Sequence, residues 1–207
     1  MEILESKHLN KILDSDLRGA MSYDSFRAMI DEYAQRGMTT GLDKSEHLIE
    51  YTKLNSRRFK RWEKTLKLQS MIEGTDFSQL PSMDWIVITE TWCGDAAHLM
   101  PVMKILADNL PGTEIKVVLR DENEKLMDNF LTDGARSIPK LIARDRTTGE
   151  VLFTYGPRPV PAKEMVMTYK EQYGNLSPEF KEDLQRWYNK DKGESALKDL
   201  LDILDKL

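Results

Sequence analysis

Apolar residues recur at helical spacing through the first third of the chain. Between Ser22 and Gly37, Phe26, Met29, Ile30 and Tyr33 stand at i, i+3, i+4 and i+7, which predicts an amphipathic helix capped by Ser22 and ended at Gly37. A second helical run follows Thr39-Thr40-Gly41. It opens where Asp43 and Glu46 have capping-box spacing and carries Leu48, Ile49, Phe59 and Trp62 toward Leu68. Residues 1–75 therefore read as a mostly helical N-terminal extension.

The pattern changes after Gly74 to Pro81. Trp85 to Thr89 is a short β-branched run, apolar on both faces, as a buried central strand should be. Helical spacing returns from Asp95 to Leu110, with Pro101 inside it predicting a kink and Pro111-Gly112 ending it. Ile115 to Leu119 predicts a second buried strand and Glu124 to Leu131 a helix. Lys140 to Ala143 and Val151 to Tyr155 then form a strand pair across the turn Asp145 to Gly149. From Pro161 onward the pattern is helical, broken at Gly174 to Pro178 and near Gly193, with Leu197, Leu200, Leu201 and Leu204 as the last apolar stripe. The order strand, helix, strand, helix, strand, strand, helix predicts an α/β domain over 76–170, followed by a helical C-terminal extension over 171–207.

Composition narrows the function classes. The chain has 207 residues, 40% of them hydrophobic and 31% charged, as in a folded globular protein, and its formal charge of -5 gives no global reason to expect nucleic acid or an anionic membrane as partner. No segment is apolar enough to span a bilayer, and the opening residues lack the apolar core of a secretory signal. The single cysteine, Cys93, permits no internal disulfide and points to a reducing compartment, the cytoplasm. With His8, His47 and His98 scattered, no metal-ligand cluster is expected. The one basic run with interleaved aromatics, Arg57 to Trp62, reads as a helix that buries Phe59 and Trp62 and turns its charges to solvent.

The candidate chemistry lies at Glu90-Thr91-Trp92-Cys93-Gly94-Asp95-Ala96, where a buried strand turns into a helix. The free N–H groups and dipole of the first helical turn favour a thiolate there. These residues resemble the thioredoxin family, in which such a strand ends in Trp-Cys-Gly-Pro-Cys. Trp92, Cys93 and Gly94 match, Pro101 matches the proline of the family's active-site helix, and Arg136-Ser137-Ile138-Pro139 resembles the segment whose cis-proline faces the reactive cysteine. Gly156 resembles the glycine bordering the substrate groove. The resemblance implies a thioredoxin fold, a central mixed sheet flanked by helices, with Cys93 as catalytic thiol and Trp92, Gly94, Asp95, Ala96, Ile138, Pro139 and Gly156 around its groove.

Three departures qualify it. Ala96 replaces the resolving cysteine and so excludes a dithiol cycle. Asp95 adds a negative charge beside the thiol, and Val87 stands where the family has a buried aspartate. Arg136 and Arg158 are candidates to offset Asp95 or to hold a carboxylate of a small thiol such as glutathione or bacillithiol, which would act as co-substrate with no cofactor bound. Glu90, His98 and Asp121 read as surface or supporting residues. Two functions remain open. One is single-cysteine exchange with a protein or small-thiol disulfide, resolved by an external thiol; the other is a redox-inactive module that holds a protein partner in the same groove.

Overall fold

The computed structural model describes residues 2–207, and side chains from residue 9 onward, so His8 lies outside the described side chains. The N-terminal segment forms α1 (Glu2–Asp16), a two-residue strand β1 (Met21–Ser22), α2 (Tyr23–Arg36), α3 (Glu46–Thr65) and the short α4 (Gln69–Ile72). Next come β2 (Met83–Thr89), α5 (Ala96–Ala107), β3 (Glu114–Leu119), α6 (Glu124–Asn129), β4 (Lys140–Asp145) and β5 (Val151–Tyr155). The chain ends in α7 (Val160–Tyr173), α8 (Pro178–Asp191) and α9 (Glu194–Leu204).

The five strands form one mixed sheet in the order β1-β3-β2-β4-β5. β2 runs parallel to β3 and antiparallel to β4, and every residue of β2 is buried, as its unbroken apolar run requires. With helices on its faces, this is the α/β arrangement of a thioredoxin fold. β1, which pairs antiparallel with β3, was not foreseen, because two residues carry no readable alternation.

Local details differ from the sequence reading where tertiary contacts intervene. The capping box at Asp43 and Glu46 does not form. Ser45 takes the N-cap position of α3, and Asp43 Oδ1 accepts from the Ser45 N–H at 2.8 Å instead. α5 starts at Ala96 and ends at Ala107, shorter than predicted at both ends, and continues as helix through Pro101. α6 stops at Asn129 rather than Leu131, while β4 runs on to Asp145 because its pairing with β2 extends that far.

The helical extensions share the sheet's core. Leu13, Phe26 and Phe59 from the N-terminal side and Leu197, Leu200 and Leu204 from α9 belong to the same buried cluster as Trp85, Ile86 and Leu141. α3 packs on both α2 and α5, and α9 on α5 and α7. A smaller cluster of Ala162, Val166, Phe180, Leu184 and Tyr188 joins α7 to α8. Among the described residues, no helix is long and apolar enough to cross a membrane.

Candidate functional site

The strand-to-helix turn is fixed first from the N-terminal side. Thr91 N–H donates to Thr40 Oγ1 at 2.9 Å, Thr40 N–H donates to Thr91 Oγ1 at 3.1 Å, and Asn55 Nδ2 donates to the Thr91 carbonyl at 2.9 Å. Thr52 adds its hydroxyl at 3.1 Å from that of Thr91, and all four residues are buried. Such a satisfied network inside a core holds one backbone geometry, because any shift strands a buried donor or acceptor. Gly41 lies beside this network with φ +84, and a Cβ there would meet Asp121 Oδ2 at 2.6 Å, so the approach of the 41–42 backbone to Asp121 requires glycine.

Cys93 follows, 5% exposed. Its Sγ donates to the Ile138 carbonyl at 3.3 Å, across from the cis Ile138–Pro139 peptide bond. Gly156, at φ +110, packs on Pro139: a Cβ would lie 2.3 Å from the Pro139 carbonyl oxygen, which no side chain can accommodate. Burial pushes the Cys93 thiol up to about 12, and the charge of Asp95 adds to this. The Ala96 N–H and the Arg158 charge act the other way and do not win. Thr89 Oγ1 lies close enough to favour the thiolate, yet it makes no formed hydrogen bond of its own.

Asp95 is gripped from the C-terminal side. Arg158 Nη2 pairs with its Oδ2 at 2.6 Å, and the Tyr188 hydroxyl from α8 donates to its Oδ1 at 2.8 Å. Tyr188 in turn stacks on His98, with ring centroids 4.1 Å apart and planes 4° from parallel. His98, read from the sequence as a surface or supporting residue, is buried. Trp62 Nε1–H donates to its Nδ1 at 2.8 Å, and its Nε2 faces Gln185 Oε1 at 3.1 Å. Both contacts suit the neutral ring with its proton on Nε2, and burial lowers its pKa to about 3. Glu90 is also buried, with its carboxyl held above the usual range chiefly by desolvation. One of its oxygens accepts from the Asp121 N–H at 2.9 Å.

A cavity of about 460 Å³ opens beside the thiol. Of the residues singled out in the sequence, Trp92, Cys93, Gly94, Asp95, His98, Ile138, Arg136 and Arg158 line it, whereas Ala96, Pro139 and Gly156 do not. Arg136 reaches its rim but spends its guanidinium on Asp128 and Glu124, at 2.7 and 3.2 Å. Arg120 pairs with Asp121 and lies over the Trp92 ring, 4.9 Å from its centroid.

The expectation that the charges of the Arg57 to Trp62 run all face solvent is corrected. Phe59 and Trp62 are buried, but Arg58 lines the cavity, close enough to the loop that a Cβ on Gly94 would meet its Nη1 at 3.3 Å. Arg58 and Tyr188 are site residues that the sequence reading does not single out. A signal for Arg58 existed, since Thr52, Asn55 and Arg58 stand at three-residue spacing along α3 and form a polar strip beside its apolar face. Among the described residues, no group of three or more His, Cys, Asp or Glu side chains is placed to hold a metal.

Comparison with known proteins agrees with the fold. Two solved structures are similar in fold. An HIV epitope-scaffold superposes with a TM-score of 0.52 at 16% identity, over 90% of this chain and 99% of that one. A protein of unknown function from Pseudomonas aeruginosa superposes with a TM-score of 0.51 at 14% identity, over 90% of this chain and 93% of that one. A search of curated proteins finds no match. The sequence model described as thioredoxin matches residues 41–172, which takes in α3 as well as the sheet, and the chain belongs to the thioredoxin family.

Proposed function

We propose that this chain is a thioredoxin-family binding module, in which the groove beside Cys93 holds a ligand or partner and the resting thiol is a wall contact rather than a turnover centre. The observation that carries this reading is the thiol's environment. Cys93 is 5% exposed, its Sγ donates to the Ile138 carbonyl, and the Asp95 carboxylate stands beside it; burial and that charge both work against the thiolate, the form that exchange requires.

The second reading is single-cysteine exchange, favoured by the place of Cys93 on the wall of an open cavity with the Ala96 N–H beside its sulfur. In it, the Cys93 thiolate attacks one sulfur of a protein or small-thiol disulfide. The S–S bond breaks, the second sulfur leaves as a thiolate, and an external thiol such as glutathione or bacillithiol then attacks the mixed disulfide to restore Cys93. That chemistry belongs in a reducing compartment such as the cytoplasm.

Alkylation of Cys93 as a function of pH, paired with intact mass after incubation with oxidised glutathione, separates the two. The binding reading expects slow alkylation up to pH 9 and no adduct. An apparent pKa well below the roughly 8.5 of a free thiol, with one glutathione on Cys93, would replace it by the exchange reading.

A further inference from the structure

The cavity beside Cys93 is lined by six cationic side chains and a single carboxylate, Asp95, although the chain as a whole is acidic, with a formal charge of -5. Ion pairs within the protein account for half of that positive charge. Arg120 is held by Asp121, Arg136 by Asp128 and Glu124, and Arg158 by Asp95. Arg58, Lys170 and Lys181 have no carboxylate partner among the described residues.

Arg58 is the most telling of the three. It is half-buried, with its pKa lowered by desolvation, and its one hydrogen bond runs from Nη1 to the neutral amide oxygen of Asn55 at 3.0 Å. A guanidinium withdrawn from water without a counter-charge is costly, and proteins rarely keep one unless something else supplies the charge. Asp95 acts on Arg58 only through space and forms no ion pair with it, its two oxygens being directed at Arg158 and Tyr188. Lys170 and Lys181 come from α7 and α8, are exposed, and stand at the outer part of the same cavity, with Leu176 and Leu184 as apolar wall. Its volume, about 460 Å³, suits a small molecule rather than a single ion.

We propose that this cavity binds a small molecule carrying at least two anionic groups, one set against Arg58 beside the Trp92-Cys93-Gly94 turn and another between Lys170 and Lys181 at the mouth. This names the ligand class for the binding reading above and rests on that reading only in placing the ligand in this groove. It assigns the recognition to Arg58 and the helical extension instead of to Arg136 and Arg158, whose charges are already spent.

Isothermal titration calorimetry on the full chain tests it, with citrate as the carboxylate probe, pyrophosphate as the phosphate probe and trimethyl citrate as the neutral control. At least one polyanion is expected to bind one-to-one while trimethyl citrate does not, and which of the two binds identifies the anionic group. Arg58→Gln is expected to weaken that binding about tenfold or more, Arg58→Lys less, and the Lys170→Gln/Lys181→Gln pair by several-fold. Citrate and pyrophosphate contain no sulfur, so their binding draws on no exchange chemistry at Cys93. Failure of this inference is thereby separated from the outcome of the alkylation experiment. No heat from either polyanion at millimolar concentration, or an Arg58→Gln affinity within twofold of wild type, overturns the proposal. Should Arg58→Gln fail to fold, the lysine pair on its exposed positions decides the matter, and an unchanged affinity there overturns it equally.

Discussion

The two sides of the Cys93 turn are built differently. On the sheet side, β2 delivers the turn from a strand buried along its whole length, and Thr40 with Thr52 and Asn55 of α3 fixes its backbone at Thr91 with neutral hydrogen bonds. On the helical side, Asp95, Arg158, His98, Tyr188 and Arg58 surround the same turn with charge and aromatic area. The sheet side thus sets where the sulfur is. The helical side sets its ionisation, by burying it and placing Asp95 against it. Two proteins sharing the first arrangement can therefore differ in thiol chemistry through the second alone.

The comparison breaks first if the helices are mere appendages to the sheet. Phe59 on α3 is 1% exposed, meets Phe26 and Tyr23 edge-on and lies in the same cluster as Trp85, which is fully buried. Phe59→Ala is expected to cost about 3–5 kcal/mol, as a truncation in the middle of a core does. Urea denaturation followed by circular dichroism reads it. A cost below about 1 kcal/mol would mean that α3 contributes little to the common core.

The next effect is a pH dependence located on the helical side. His98 is held neutral with a pKa of about 3 against an ordinary 6.5. Below about pH 6.5 the unfolded chain takes up a proton that the folded chain refuses, so stability is complete above that pH and falls by about 1.4 kcal/mol per unit as pH drops toward 3. From pH 7 to pH 5, His98 should account for about 2 kcal/mol of lost stability. His98→Gln keeps an acceptor for Trp62 without the titration, so its urea midpoint is expected to vary less with pH over this range. Equal slopes for the two proteins would show that His98 protonates freely in the fold.

A smaller effect separates charge from burial at the sulfur itself. Asp95→Asn keeps the shape that receives Tyr188 while removing the charge that raises the Cys93 pKa, and it frees Arg158 to act on the thiol. The expected result is a fall in the thiol pKa of roughly one unit, seen as an alkylation rate at pH 9 about ten times that of the wild type. The thiol should still titrate above a free cysteine, because burial is the larger cause. An unchanged rate would assign the whole shift to burial.

The same division explains what could be read from the sequence. The strands were legible because burial on both faces leaves unbroken apolar runs, as in Trp85 to Thr89, and the turn was legible because its residues are contiguous. The helical side was not. Asp95 and Tyr188 are 93 positions apart, Trp62 and His98 36, and no local pattern announces that α8 lies across the loop. His98 and Glu90 read as surface or supporting groups because a polar residue beside a turn is ordinarily solvated, and nothing local shows that Trp62 of α3 and Gln185 of α8 close over His98 or that Glu90 is buried against Asp121. The Arg57 to Trp62 run misled in the opposite sense. Its aromatic spacing was read correctly, but a helix that packs on two neighbours also buries the flank of its polar face, and Arg58 lies on that flank.

Arg136 provides the smallest expected effect and a check on which cations belong to the site. It reaches the cavity rim, but its charge is directed at Asp128 and Glu124 on α6, in an exposed cluster that solvent and salt screen. The thiol's ionisation responds to burial, Asp95 and Arg158, whereas the Arg136 guanidinium is directed at α6. Arg136→Ala should therefore leave the urea midpoint unchanged and the alkylation rate of Cys93 within about twofold of wild type, since screened surface pairs contribute little. Polyanion affinity should likewise change far less than in Arg58→Gln. If Arg136→Ala instead weakened binding as much as Arg58→Gln does, the ion pairs with Asp128 and Glu124 must open when ligand enters, and the rim would have to be counted among the groups that recognise it.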